Sequence, residues 1–263
     1  MKIPFLCEGD VLEEVPVSGS GAVTYKIIRG NEKFFVKVMI KGSAENQSPE
    51  TLREIDRIYK SLEIPCVNLV DTGTLAGCGS TWAVWKWIDS VNLETVECGE
   101  SPESFYDVGI WTGEQLRKLA DYEFPTSHIP TDTRFDQYKS FKDDKKVLIH
   151  YDIKPGNILR DKDGNLFLCD TNSTRYGFEM VNLYWAIGVF QDFRGEAYRH
   201  FFRGIFKTFW GGKYNIEQMN TMYKHEFTKR MAKNKEEFER YKPAYDRGVL
   251  ETNNFTTGIC FRD

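Results

Sequence analysis

Asp152, Asn157 and Asp170 are the residues of this sequence whose types and spacing can do chemistry as a set. They lie on Ile149-His150-Tyr151-Asp152-Ile153-Lys154-Pro155-Gly156-Asn157-Ile158-Leu159 and, after the turn Asp161-Lys162-Asp163-Gly164-Asn165, on the short run Leu166-Phe167-Leu168-Cys169-Asp170. Phosphoryl transfer needs one carboxylate to orient and deprotonate an attacking hydroxyl. It also needs a carboxylate and a neutral oxygen donor for the magnesium ions that screen the phosphates. An H-x-D-x-x-x-x-N run followed by a strand ending in aspartate supplies all three. The Asp-Gly turn between two apolar runs predicts a hairpin that returns Asp170 towards Asn157. By itself the stretch reads almost as well as a surface hairpin with a buried histidine. A calcium loop fits poorly, because Gly164 falls too early and no glutamate closes a twelve-residue loop.

The elements that must position these groups come earlier in the chain. Alternating strand patterns surround Ser18-Gly19-Ser20-Gly21-Ala22, continuing as Val23 to Ile28, a Gly30-Asn31 turn and Lys33 to Ile40. Gly19, Ser20 and Gly21 let a backbone approach a polyphosphate with its N–H groups turned inward. Neither a Walker A loop nor a full G-x-G-x-x-G pattern is present. In Phe34-Phe35-Val36-Lys37-Val38-Met39-Ile40 a single lysine interrupts an apolar run. A buried ammonium needs an anionic partner. Ser48-Pro49-Glu50 then predicts a helix start, with serine as cap and proline at the first helical position. Leu52, Ile55, Ile58, Tyr59 and Leu62 share one face, and Glu54 sits roughly 40° from Ile58, on the edge of that stripe. Glu54 is therefore expected to reach Lys37.

Taken together, the H-x-D-x-x-x-x-N run, the strand-end aspartate, the strand lysine and the helix glutamate strongly resemble the protein-kinase-like superfamily. The resemblance implies that Asp152 is the catalytic base and that Asn157 and Asp170 hold magnesium. It further implies that Lys37, steadied by Glu54, clamps the phosphates of ATP, with GTP also open. It makes Trp85 the bulky residue beside the adenine and gives the base the backbone groups of Lys86 and Ile88. Protein kinases follow the metal aspartate with an activation segment and an Ala-Pro-Glu anchor. Here an apolar, helix-like run begins by about Val181 and no Ala-Pro-Glu occurs. The layout is instead similar to the aminoglycoside phosphotransferase and choline kinase branch, whose members phosphorylate small molecules. Two places depart from that branch. Tyr151 and Lys154 follow the protein-kinase pattern, so Lys154 is expected to touch the transferring phosphate. Asn182 stands where an aspartate commonly braces the catalytic loop.

The expected architecture is α+β and two-lobed: an antiparallel sheet plus helix over 1–85, then a mainly helical lobe over 86–263, with ATP between them. The expected acceptor is a hydroxyl of a small, cationic molecule, first an aminoglycoside-type antibiotic, otherwise choline, ethanolamine or a sugar. A nucleotide-binding pseudokinase is the alternative of a different class. The chain has 263 residues, is 41% hydrophobic and carries a net charge of −4 without a basic cluster, which argues against nucleic-acid partners. Its longest apolar stretch is too short for a bilayer span, and no secretory signal is visible. Six cysteines without a C-x-x-C pair suit reduced thiols in a cytoplasmic protein. A monomer or weak dimer is expected. Six acidic residues between Asp89 and Asp107, uninterrupted by lysine or arginine, read first as a solvated run. Phe190, Phe193, Ala197, Phe201, Phe202, Ile205, Phe206 and Phe209 recur at helical spacing and read as core. Trp185, Trp210, Tyr214 and Tyr223 remain as spare aromatics that could face a quaternary ammonium.

Overall fold

A computed structural model describes residues 3–15, 21–43, 45–96, 101–124, 126–183, 195–210, 217–219, 221–222 and 224–225. The chain divides into two compact units. The first combines Met1–Asn92 with Pro125–Pro130 and Ile158–Thr174; the second combines Leu93–Phe124, Thr131–Asn157 and Arg175–Asp263.

The first unit is built on a five-stranded antiparallel sheet. Its strands are β1 (Val11–Glu14), β2 (Ala22–Arg29), β3 (Glu32–Met39), β4 (Leu69–Thr74) and β5 (Thr81–Lys86), ordered β1-β2-β3-β5-β4. Arg29 pairs with Glu32, so Gly30 and Asn31 form the two-residue connection that the sequence suggests, with Gly30 at φ 58°. Successive side chains on β3 alternate between faces. Phe34, Val36 and Val38 enter one core cluster with Ile27, Trp82 and Val84. Met39 joins Leu52, Ala83 and Trp85 in a second cluster, with Phe35 packed against it. Alternation therefore sets Lys37 on the same face as Phe35 and Met39. Its cross-strand neighbours, Thr24 and Ala83, are small, which leaves room for a long side chain.

Helix α1 (Pro49–Ser61) covers that second face. The Ser48 hydroxyl accepts the Thr51 N–H at 3.1 Å, a cap that satisfies one of the helix's open donors. Thr51, Leu52, Ile55, Ile58 and Tyr59 are buried, with each fully buried leucine or isoleucine worth about 1.5–3 kcal/mol. The same unit holds a three-stranded ladder: β6 (Ser90–Asn92), β8 (Ile158–Asp161) and β9 (Leu166–Leu168) in the order β6-β8-β9. The β8–β9 hairpin forms at the predicted turn. Asp161 Oδ1 accepts the backbone N–H groups of Asp163 and Asn165 at 2.9 and 2.8 Å, and Gly164 takes φ 86°.

In the second unit, α3 (Pro102–Ala120) packs on the helix Gly195–Trp210. Glycines permit the approach: a Cβ on Gly109 would lie 2.0 Å from the Phe201 carbonyl oxygen, and one on Gly204 would lie 2.2 Å from that of Tyr106. Ala197, Phe201, Phe202, Ile205, Phe206 and Phe209 are all buried, so this part of the stripe is core, as its spacing indicates, while Phe190 and Phe193 lie outside the described residues. A short helix α2 (Leu93–Val96) packs on the turn Pro155–Asn157. Strand β7 (Lys146–His150) pairs with β10 (Thr174–Phe178). Trp185, Tyr214 and Tyr223, the side chain of Trp210, and the chain beyond 225 lie outside the described residues. No described helix is long and apolar enough to cross a membrane.

Candidate active site

Strand β7 ends at His150, fully buried, whose N–H donates to Asn182 Oδ1 at 3.2 Å. Asn182 thus holds the end of β7, where the loop that bears Asp152 begins. Its Nδ2 is buried and meets no acceptor among the described residues. Beyond His150 the loop closes on itself. Asn157 Nδ2 donates to the Asp152 carbonyl oxygen at 2.6 Å and to Asp152 Oδ2 at 2.8 Å. Lys154 Nζ lies 3.0 Å from the same Oδ2. Among the described residues no hydrogen bond falls on Asp152 Oδ1 or on Asn157 Oδ1. One carboxylate oxygen is thereby fixed while the other stays available to a hydroxyl proton, and the amide oxygen stays available to a hard cation.

The surroundings of Asp152 are more cationic than the sequence suggests. Arg134 lies over the Tyr151 ring at 4.1 Å and donates to its hydroxyl at 2.5 Å, while Arg175 lies 4.5 Å from the ring centre. Asp132, buried, receives Nε and Nη2 of Arg134. Burial opposes both charges, but their pairing prevails, holding the Asp132 carboxyl below its usual range and the Arg134 guanidinium above its own. For Arg175 burial prevails and lowers the pKa despite Asp132.

In the first unit, Lys37 is 8% exposed and carries two ion pairs, to Asp170 Oδ1 and to Glu45 Oε2, each at 2.7 Å. Burial would lower its pKa, but the Asp170 charge and the bonds to Asp170 and Glu45 outweigh burial and raise it. Asp170 lies two residues past the end of β9, in left-handed backbone at φ 56°. That conformation is costly for a residue with a Cβ and is a mark of functional turns. Its Oδ2 accepts the Ser173 hydroxyl at 3.2 Å.

Several expectations do not hold as stated. Glu54 does not reach Lys37; both its oxygens are taken by Arg57, at 2.8 Å each. The edge of the helical stripe allowed either direction, and an arginine one turn away was the nearer cation. Trp85 is 5% exposed within the cluster under α1, so it serves as core. The Lys86 N–H donates to the Asn68 carbonyl at 2.9 Å and its ammonium to Glu32 at 2.8 Å; that N–H is not open to a base. The Ile88 carbonyl accepts the Ser90 hydroxyl at 3.1 Å. Gly19 and Ser20 lie outside the described residues. Gly21 is described, at φ 112°. Within the acidic run, Asp89 takes the Lys33 ammonium at 2.8 Å, and Glu94 Oε1 takes the Tyr198 hydroxyl at 2.8 Å. Glu45 and Arg134 were missed, since both lie in irregular segments where neither helical nor strand periodicity marks a facing direction.

The Asn157 amide oxygen in the second unit and the Asp170 carboxylate in the first are each of the hard-donor type that magnesium takes alongside phosphate and water. Among the described residues no group of three or more His, Cys, Asp or Glu could hold a metal by itself.

No protein-family model and no curated protein matches the chain by sequence. Solved structures match along almost its whole length. Spectinomycin phosphotransferase APH(9)-Ia, in complex with ADP and spectinomycin, aligns with 94% of this chain and 85% of its own at 14% identity and a TM-score of 0.61. The GDP and kanamycin complex of APH(2")-IIia aligns with 93% of this chain and 92% of its own at 11% identity and a TM-score of 0.62. A microcompartment-associated aminopropanol kinase aligns with 98% of this chain and 96% of its own at 12% identity and a TM-score of 0.60. The chain shares its fold with these phosphotransferases and kinases.

Proposed function

We propose that the chain is a small-molecule kinase that moves the γ-phosphate of ATP, or of GTP, to a hydroxyl of its acceptor. The observation that carries this reading is Asp152, with one carboxylate oxygen held by Asn157 and Lys154 and the other turned to no protein donor among the described residues. Asp152 accepts the hydroxyl proton, and Lys154 shifts from the carboxylate to the transferring phosphate. Lys37 holds the non-transferred phosphates, and the Asn157 amide oxygen and the Asp170 carboxylate would each serve as a ligand for magnesium. Magnesium, when bound, neutralises charge on the phosphate oxygens. Since the transferred group is loosely bonded at the transition state, positioning and charge neutralisation supply most of the rate.

The fold neighbours that carry spectinomycin and kanamycin support an aminoglycoside-type acceptor, and the aminopropanol kinase supports a smaller amino alcohol. A second reading keeps the chemistry and changes the acceptor. Arg134 and Arg175 on Tyr151, next in the chain to Asp152, favour a hydroxyl compound bearing an acidic group. A panel of amino-sugar antibiotics, amino alcohols, sugars and hydroxy acids, read by ATP consumption, separates these. Turnover with an amino-sugar or amino alcohol supports the first acceptor class, and turnover confined to acidic acceptors supports the second. ATP binding without turnover on any of them would favour a pseudokinase.

A further inference from the structure

Lys37 has an acid partner that neither helix nor strand patterning singles out. We propose that Glu45, on the loop between β3 and α1, is the residue that positions Lys37 on the phosphates of the nucleotide, in place of Glu54 on α1. The inference rests on the kinase reading and deepens it.

Three observations carry it. First, the Lys37 ammonium is buried and sits 2.7 Å from Glu45 and 2.7 Å from Asp170. Asp170 cannot serve as its lasting partner if its carboxylate turns to a metal ion, and an ammonium left alone at that depth is costly. Glu45 carries no such second duty. Second, the loop that bears Glu45 is tied down on both sides of it. Ser43 N–H donates to the Ile40 carbonyl at 3.0 Å, and Ser43 Oγ donates to the Gly21 carbonyl at 3.3 Å. Asn46 Oδ1 accepts the Thr81 N–H at 3.0 Å. A Cβ on Gly21 would lie 2.6 Å from Ser43 Cβ, so Gly21 and Ser43 are closely fitted to each other. Third, Glu54 is committed to a two-pronged pair with Arg57 on its own helix, the stronger geometry for a guanidinium. It would have to give that up to reach Lys37.

The test compares wild type, Glu45→Gln, Glu45→Asp and Glu54→Gln by nucleotide titration without acceptor and by initial rates, with melting recorded alongside. Glu45→Gln should raise the KM for ATP severalfold with kcat little changed, Glu45→Asp should recover part of that loss, and Glu54→Gln should behave as wild type does. A merely structural glutamate would lower melting without that split. A KM raised in Glu54→Gln and unchanged in Glu45→Gln overturns the inference. A wild-type protein that binds no ATP overturns the kinase reading, and the phosphate role with it.

Discussion

The lysine cluster of the first unit and the catalytic loop of the second solve opposite problems with similar parts. Around Lys37 one ammonium is shared by two carboxylates, and every charge is satisfied by the protein itself. Around Asp152 one carboxylate oxygen is shared by an amide and an ammonium, while its other oxygen receives no bond among the described residues. The first arrangement is closed and must be entered by a ligand that outcompetes an acid; the second is open and preorganised. On the proposed function, binding and chemistry fall to different polar constellations. Damage to one should leave the signature of the other.

The largest effect should come from the open constellation. Asp152→Asn is expected to cut turnover by about 10²–10⁴-fold while the affinity for nucleotide is kept, as measured by initial rates and titration. Equal loss of affinity would break the contrast. Next, Lys37→Met should weaken ATP binding by about 10–100-fold, the range of one charge-assisted contact, as read by calorimetry. Asn182→Leu removes the oxygen that accepts the His150 N–H and leaves that donor buried, at a cost of about 1–3 kcal/mol in denaturant unfolding. The smallest effect concerns thiols. Burial pushes Cys66 up to about 12, whereas the Ser80 hydroxyl beside exposed Cys78 lowers it. At a given pH Cys66 holds less thiolate and should alkylate more slowly. Since Cys66 bridges to Leu168 at the foot of the hairpin leading to Asp170, rapid labelling there would show that this segment opens.

Much of this was legible before any coordinates. The Asp161–Asn165 turn fixed the hairpin because Asp and Gly there have local reasons to bend the chain. Ser48-Pro49 fixed the start of α1 for the same kind of reason, and two-residue alternation set Lys37 on the helix face of β3. The partner of Lys37 was not legible. Periodicity says which face of a helix is buried, but it does not say whether an edge glutamate turns inward or to an arginine three residues on. Nor does it give a direction to Glu45, whose loop is placed by bonds to Gly21 and Thr81 far along the chain. The packing around Trp85 and Lys86 was not legible either. Trp85 and the Lys86 N–H are consumed by core packing and by Asn68, and such tertiary use leaves no trace in local sequence.

The division of labour is tested most directly by the ATP-induced rise in melting temperature, with magnesium, for wild type, Asp152→Asn and Lys37→Met. The account predicts a full rise in wild type and in Asp152→Asn, and a much reduced one in Lys37→Met. A rise that survives in Lys37→Met but vanishes in Asp152→Asn would contradict it.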